Sequence, residues 1–84
     1  MSSFAAELMP LAEEVRVTPD ELMVRLADGR TVTVPLVWVP RLAKASERER
    51  KNWQLLGGGL GIHWPDVDED LSVSGLLAGG RPPT

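Results

Sequence analysis

An Asp28-Gly29 pair set between two runs of alternating residues constrains the fold of this chain more than any other feature. Before it, Leu22, Val24 and Leu26 share one face of a period-two segment, with Met23 and Arg25 on the other. After it the alternation resumes as Thr31, Val32, Thr33 and Val34. Gly accepts the positive φ of a tight hairpin turn and Asp tolerates it. The spacing therefore predicts antiparallel strands over Leu22–Ala27 and Arg30–Val34, the second ended by Pro35, which has no N–H for a ladder. A further strand is expected upstream, where Val15 and Val17 alternate with charged or polar positions ahead of the turn-forming Thr18-Pro19-Asp20.

Beyond this β-meander the pattern changes. Leu36, Val37, Trp38 and Val39 lie between Pro35 and Pro40, too short a run for a full helix, and read as a turn that tucks Trp38 against the sheet. Ser46 and Glu49 have capping-box spacing, which predicts a helix over about Glu47–Trp53. Its sequence is mostly charged, so only Trp53 and neighbours such as Leu42 are expected to face a core. Arg41, Lys44, Arg48, Arg50 and Lys51 form the one basic concentration, interrupted by Glu47 and Glu49, and read chiefly as a solvated face. A strand is expected over Leu60–Trp64, entered through a bulge or sharp bend at the glycines from Gly57 to Gly61. Ser72 is a natural N-cap for a last helix with Val73, Leu76 and Leu77 as its apolar face and Gly79-Gly80 as its stop. The fold class is α+β: a small antiparallel sheet with two or three short helices. Residues 1–12 read as a flexible arm, 13–78 as a single domain and 79–84 as a disordered tail.

At 84 residues the chain supports one small core, burying only about 60–65% of the surface exposed when unfolded, so support from a second copy is a reasonable expectation. The absence of cysteine excludes disulfides and thiolate metal sites. No signal peptide and no membrane span are legible, and the cytoplasm is the expected compartment. A net charge of −3 opposes non-specific attachment to phosphate backbones.

The span from Trp53 to Leu77 carries most of the remaining chemistry. Its glycine cluster resembles a phosphate cradle, yet no Lys-Ser or Lys-Thr follows and the third glycine of a G-x-G-x-x-G fingerprint is missing. His63 with Asp66, Asp68 and Asp70 offers one nitrogen and several oxygens to a cation. The run lacks the Gly and distal Glu of an EF-hand loop and has no second nitrogen ligand, so no metal and no cofactor is assigned. The plainer reading is that His63 packs or makes a structural hydrogen bond while the acids solvate a loop and favour the positive end of the helix that follows. The single histidine has no evident nucleophile beside it, and no catalytic residue is expected; a hydrolase or metal enzyme centred on His63 and Asp66 ranks last.

Taken together, LADGRTVTVPLVWVPRL, the capped charged helix and NWQLLGGGLGIHWPDVDEDLSVSGLL resemble the bacterial domain-of-unknown-function 2442 family, over about Glu13 to Leu77. The resemblance implies a small α+β fold built on an N-terminal antiparallel sheet. It also implies members that stand alone or are joined to a helix-turn-helix domain, many encoded beside another small protein in an arrangement similar to a toxin–antitoxin pair. No helix-turn-helix is legible in these residues, so direct repression is not expected. The family transfers no catalytic residues.

The expected function is a non-enzymatic protein-interaction module, antitoxin-like, that covers a small partner protein encoded nearby, with a homodimer possible. Trp38, Trp53 and Trp64 are the expected packing anchors, any of which becomes an interface hot spot where exposed. Arg48 and Lys51 are the expected charged contacts, and His63 and Asp66 complete the candidate interaction residues. The alternative is a nucleic-acid-binding or transcription-regulatory accessory domain acting through the basic helix.

Overall fold

The structure, a computed structural model, describes residues 10–79. Most of the expected arm and nearly all of the expected tail lie outside the described residues. Strands β1 (Ala12–Val17), β2 (Glu21–Leu26) and β3 (Thr31–Pro35) form one antiparallel sheet in the order β1-β2-β3. A 3-10 turn over Leu36–Trp38 and two short helices, α1 (Pro40–Ala43) and α2 (Glu47–Lys51), lead to a second antiparallel sheet. Its strands, β4 (Gln54–Leu56), β5 (Gly61–Trp64) and β6 (Glu69–Ser72), lie in the order β4-β5-β6, and α3 (Val73–Leu77) follows. The chain is thus α+β, with two small sheets rather than one.

The meander forms for the reasons legible in its sequence. Leu22, Val24 and Leu26 are buried on one face, and Gly29 takes φ 96° in the turn after Asp28. The Asp28 carboxylate also accepts from the Arg30 backbone N–H at 3.0 Å and from its Nε at 2.8 Å, closing the turn from outside. In β1 the register slips between Ala12 and Glu14. This bulge explains why Ala12 and Val15, three positions apart, are both buried.

The capping box at α2 is present in full: Ser46 Oγ accepts from Glu49 N–H at 3.1 Å and the Glu49 carboxylate accepts from Ser46 N–H at 2.8 Å. The helix ends at Lys51, short of the expected Trp53, and buries none of its residues. Ser72 Oγ caps α3 by accepting from Gly75 N–H at 3.0 Å.

Three segments carry structure that the sequence pattern did not announce. The segment Leu36–Val39 is the short turn expected, with a partly buried Trp38 packed against the core, Leu36 and Val39 buried and Val37 75% exposed; an unforeseen helical turn, α1, follows at once from Pro40, a residue whose missing N–H is harmless at a helix start. Leu55 and Leu56 belong to a strand, β4, paired with β5 through the glycine turn. The acids after Pro65 do not all form a loop. Glu69–Ser72 is strand β6, Asp70 lying opposite His63 and Leu71 opposite Ile62, and no acidic residue sits in the first turn of α3.

Both sheets share one core. Ile62, Trp64 and Val73 join Leu22, Leu26 and Leu42 in a single buried cluster. The β4–β5 turn docks on β1, where Ala12 N–H donates to Gly59 C=O at 2.7 Å. A Cβ at Gly59 would lie 2.6 Å from the Ala12 carbonyl oxygen, so only glycine permits this approach.

Candidate functional site

The β5–β6 ladder sets the geometry of the site. Val73 N–H donates to Leu60 C=O at 3.0 Å, one step beyond the last strand pair, and bonded and non-bonded pairs alternate along an antiparallel ladder. Ile62/Leu71 and Trp64/Glu69 are therefore the bonded pairs, and Asp70 and Ser72 direct their backbone N–H groups away from β5. β6 is an edge strand, and among the described residues no backbone or side-chain bond from elsewhere in the fold reaches Asp70 N–H, Asp70 C=O or Ser72 N–H.

Alongside this open edge runs a groove of about 350 Å³ between the two sheets. Val34, Val39 and Leu71 supply apolar surface, Trp38 and Pro40 the wall contributed by the first half of the chain, and Glu69 and Asp70 the acidic residues. Trp38 comes here because the 3-10 turn after Pro35 cannot continue the β3 ladder and turns the chain across the sheet end. Leu76 of α3 closes the far end.

The acidic turn is shaped rather than loose. Asp68 has φ 53°, a conformation that Asp adopts more readily than most side-chain-bearing residues, and Arg41 donates from Nη1 to the Asp68 carbonyl. Asp66 accepts from Asn52 Nδ2 at 3.0 Å. His63 Nδ1 donates to the Asp70 carboxylate across the strand pair, so the histidine makes a structural hydrogen bond of the kind its sequence context suggested. Asp66 and Asp70 are thus held by different partners. Among the described residues no group of three or more His, Asp or Glu is placed to hold a metal.

The expected interaction residues do not form one patch. Trp38 lines the groove. Trp64 is fully buried, with Nε1 donating to Arg50 C=O at 3.1 Å, and is unavailable to any partner. Trp53 is partly buried against the core. Arg48 is exposed, and Lys51 pairs with Glu47 at 3.4 Å. Arg50, counted with the basic face in the sequence, is withdrawn from it: Nε donates to Leu42 C=O at 2.9 Å and Nη2 to Ala43 C=O at 3.0 Å, capping the C-terminal end of α1. The residues that sequence reasoning missed are Leu71 and Leu76 in the groove and the exposed leucines at the β4–β5 tip, Leu55 (36%), Leu56 (43%) and Leu60 (49%). Leu71 stands in the sequence as a single apolar residue after Asp68-Glu69-Asp70, too weak a pattern to mark a strand.

Among the described residues no helix is long and apolar enough to cross a membrane. The fold is shared with solved proteins. A crystal structure of a protein of unknown function from Rhodospirillum rubrum is similar with a TM-score of 0.76 and 32% identity, over 90% of this chain and 94% of that one. The solution NMR structure of an uncharacterised protein from Chromobacterium violaceum has a TM-score of 0.73 over 96% of this chain and 75% of that one; at 22% identity it shows the fold alone. No curated protein matches the chain. The model of the family described as "Protein of unknown function (DUF2442)" matches residues 12–82, nearly the whole length, and the chain belongs to that family.

Proposed function

We propose that this protein is a non-enzymatic interaction module that binds a small partner protein, in the manner of the antitoxin-like member of a two-gene pair, in the cytoplasm. The observation that carries this reading is the groove beside β6: an unpaired strand edge next to a half-buried tryptophan and apolar residues from both sheets. Edges of this kind pair readily with another chain, and aromatic anchors in grooves dominate many interfaces. Among the described residues the imidazole of the His63–Asp70 pair has no nucleophile bonded to it, which favours a binding role over hydrolysis.

Nucleic-acid binding through α2 draws less support. With Arg50 turned into the fold, Lys51 beside Glu47 and Arg41 bonded to the Asp68 carbonyl, Lys44 and Arg48 are the cations of that stretch left without a partner among the described residues, and tight phosphate binding draws on several.

Co-expression with the product of the adjacent gene, followed by affinity purification and light scattering, tests the proposal. A complex of fixed stoichiometry that survives high salt is the expected result. A chain that elutes alone, or as a homo-oligomer indifferent to that product, overturns it.

A further inference from the structure

Resting on the interaction reading above, we infer that the β6 groove takes an extended polypeptide segment alternating cationic and apolar side chains, added as a further strand to the second sheet. Three features specify this occupant. Asp70 presents an outward N–H and C=O and Ser72 an outward N–H along the groove, a set that an extended backbone matches in hydrogen bonding. Trp38, Val39, Leu71 and Leu76 offer apolar surface for alternate side chains.

The third feature is charge. Glu69 and Asp70 border the groove, with Asp66 and Asp68 in the turn before them. Among the described residues no Lys or Arg pairs with any of these four carboxylates; Asp70 is met by His63, Asp66 by Asn52, and Arg41 engages only the Asp68 backbone. An acidic border repels phosphate and anionic lipid and favours lysine or arginine. It also opposes pairing of β6 with β6 of a second copy, which would set carboxylates against carboxylates.

The test uses the full chain labelled with nitrogen-15 and two short capped peptides, one alternating lysine and valine, the other glutamate and valine. The lysine peptide is expected to bind saturably, shifting the Trp38 indole and the amides of Asp70, Leu71 and Ser72, and to slow hydrogen exchange at Asp70 and Ser72. The glutamate peptide is expected to leave them unmoved. Asp70→Pro removes one outward N–H, together with the border carboxylate bonded to His63, while leaving the β5 backbone bonds in place, and Glu69→Lys reverses one border charge. Each is expected to weaken the lysine peptide by about tenfold, with the amide spectrum of the meander unchanged as proof of folding.

Equal response to both peptides, shifts confined to Leu55, Leu56 and Leu60, or a doubling of mass by light scattering without peptide binding would overturn the assignment. Footprinting the adjacent gene's product separates this inference from the proposal beneath it. Protection of the β4 tip or the α2 face, with β6 unprotected, would sink the groove and leave the interaction module standing; absence of any complex would remove the module itself.

Discussion

Replacing Gly59 by alanine, and separately Gly58 by alanine, measures how firmly the second sheet is fastened to the first. Both glycines have positive φ, 70° at Gly58 and 118° at Gly59, and they are adjacent in one turn. A Cβ at Gly58 meets nothing within 4 Å, so Gly58→Ala carries only the left-handed backbone cost of about 1–2 kcal/mol. At Gly59 the φ lies beyond the left-handed region that alanine tolerates, costing roughly 1–3 kcal/mol. The new methyl would also sit 2.6 Å from Ala12 O and 2.9 Å from Ala12 N, both backbone atoms that cannot rotate away. The turn must lift off β1, and the Ala12 N–H to Gly59 C=O bond at 2.7 Å is lost, about 1 kcal/mol more. Gly59→Ala is therefore expected to cost about 3 kcal/mol, a large part of the roughly 4–13 kcal/mol that a chain of this length has in total. Urea denaturation of the three proteins, with thermal melts as a check, reads the difference directly. A Tm about 12–24 °C below the parent is expected for Gly59→Ala. Equal effects of the two substitutions, or a cost at Gly59 below about 1 kcal/mol, would show that the docking of this turn on β1 does not hold the sheets together.

Other substitutions test the remaining joints. Arg50→Ala removes two charged hydrogen bonds to the end of α1 and is expected to cost about 1.5–3 kcal/mol, whereas exposed Arg48→Ala stays within about 0.5 kcal/mol; chemical denaturation compares them. Trp64→Phe leaves the part-buried Arg50 carbonyl without its indole donor and is expected to cost about 2–4 kcal/mol, with Trp53→Phe well below it. The Arg30 side chain hydrogen-bonded to Asp28 holds that carboxyl below its usual value. A lowered folded pKa means that its contribution is complete above the unfolded value and fades as pH falls through the folded one. A carbon-13 titration of Asp28 is therefore expected to give a midpoint below that of an unstructured peptide, returning toward it in Arg30→Ala; a midpoint unchanged by that substitution would contradict the hairpin geometry.

What is local was legible in the order of the residues. Asp28-Gly29 between alternating runs specifies a hairpin because turn geometry and side-chain period are properties of consecutive residues. Ser46 with Glu49, and Ser72 before Val73, specify helix starts for the same reason, since a cap needs only the next three N–H groups. That His63 either packs or makes a hydrogen bond was expected; the bond is made, and its partner, Asp70, is set by the β5–β6 register.

The tertiary structure decided what depends on distant partners. β4 is three residues long and buries none of them, and becomes a strand only because Gln54–Leu56 meets Gly61–His63 across the glycine turn. β6 was hidden in a run of acids and is set by Ile62 and Trp64, whose burial draws Leu71 and Glu69 into register. Arg48 and Arg50 are indistinguishable in the string ERERK; two positions on a helix turn them to nearly opposite sides, and only the placement of α1 supplied carbonyls for one and water for the other. Likewise three tryptophans met in sequence as equals part ways, Trp64 sealed in the core, Trp53 at its margin and Trp38 on the groove wall. Burial is a property of how sheets close on one another, and the groove beside β6 exists because neither sheet alone has the surfaces that line it.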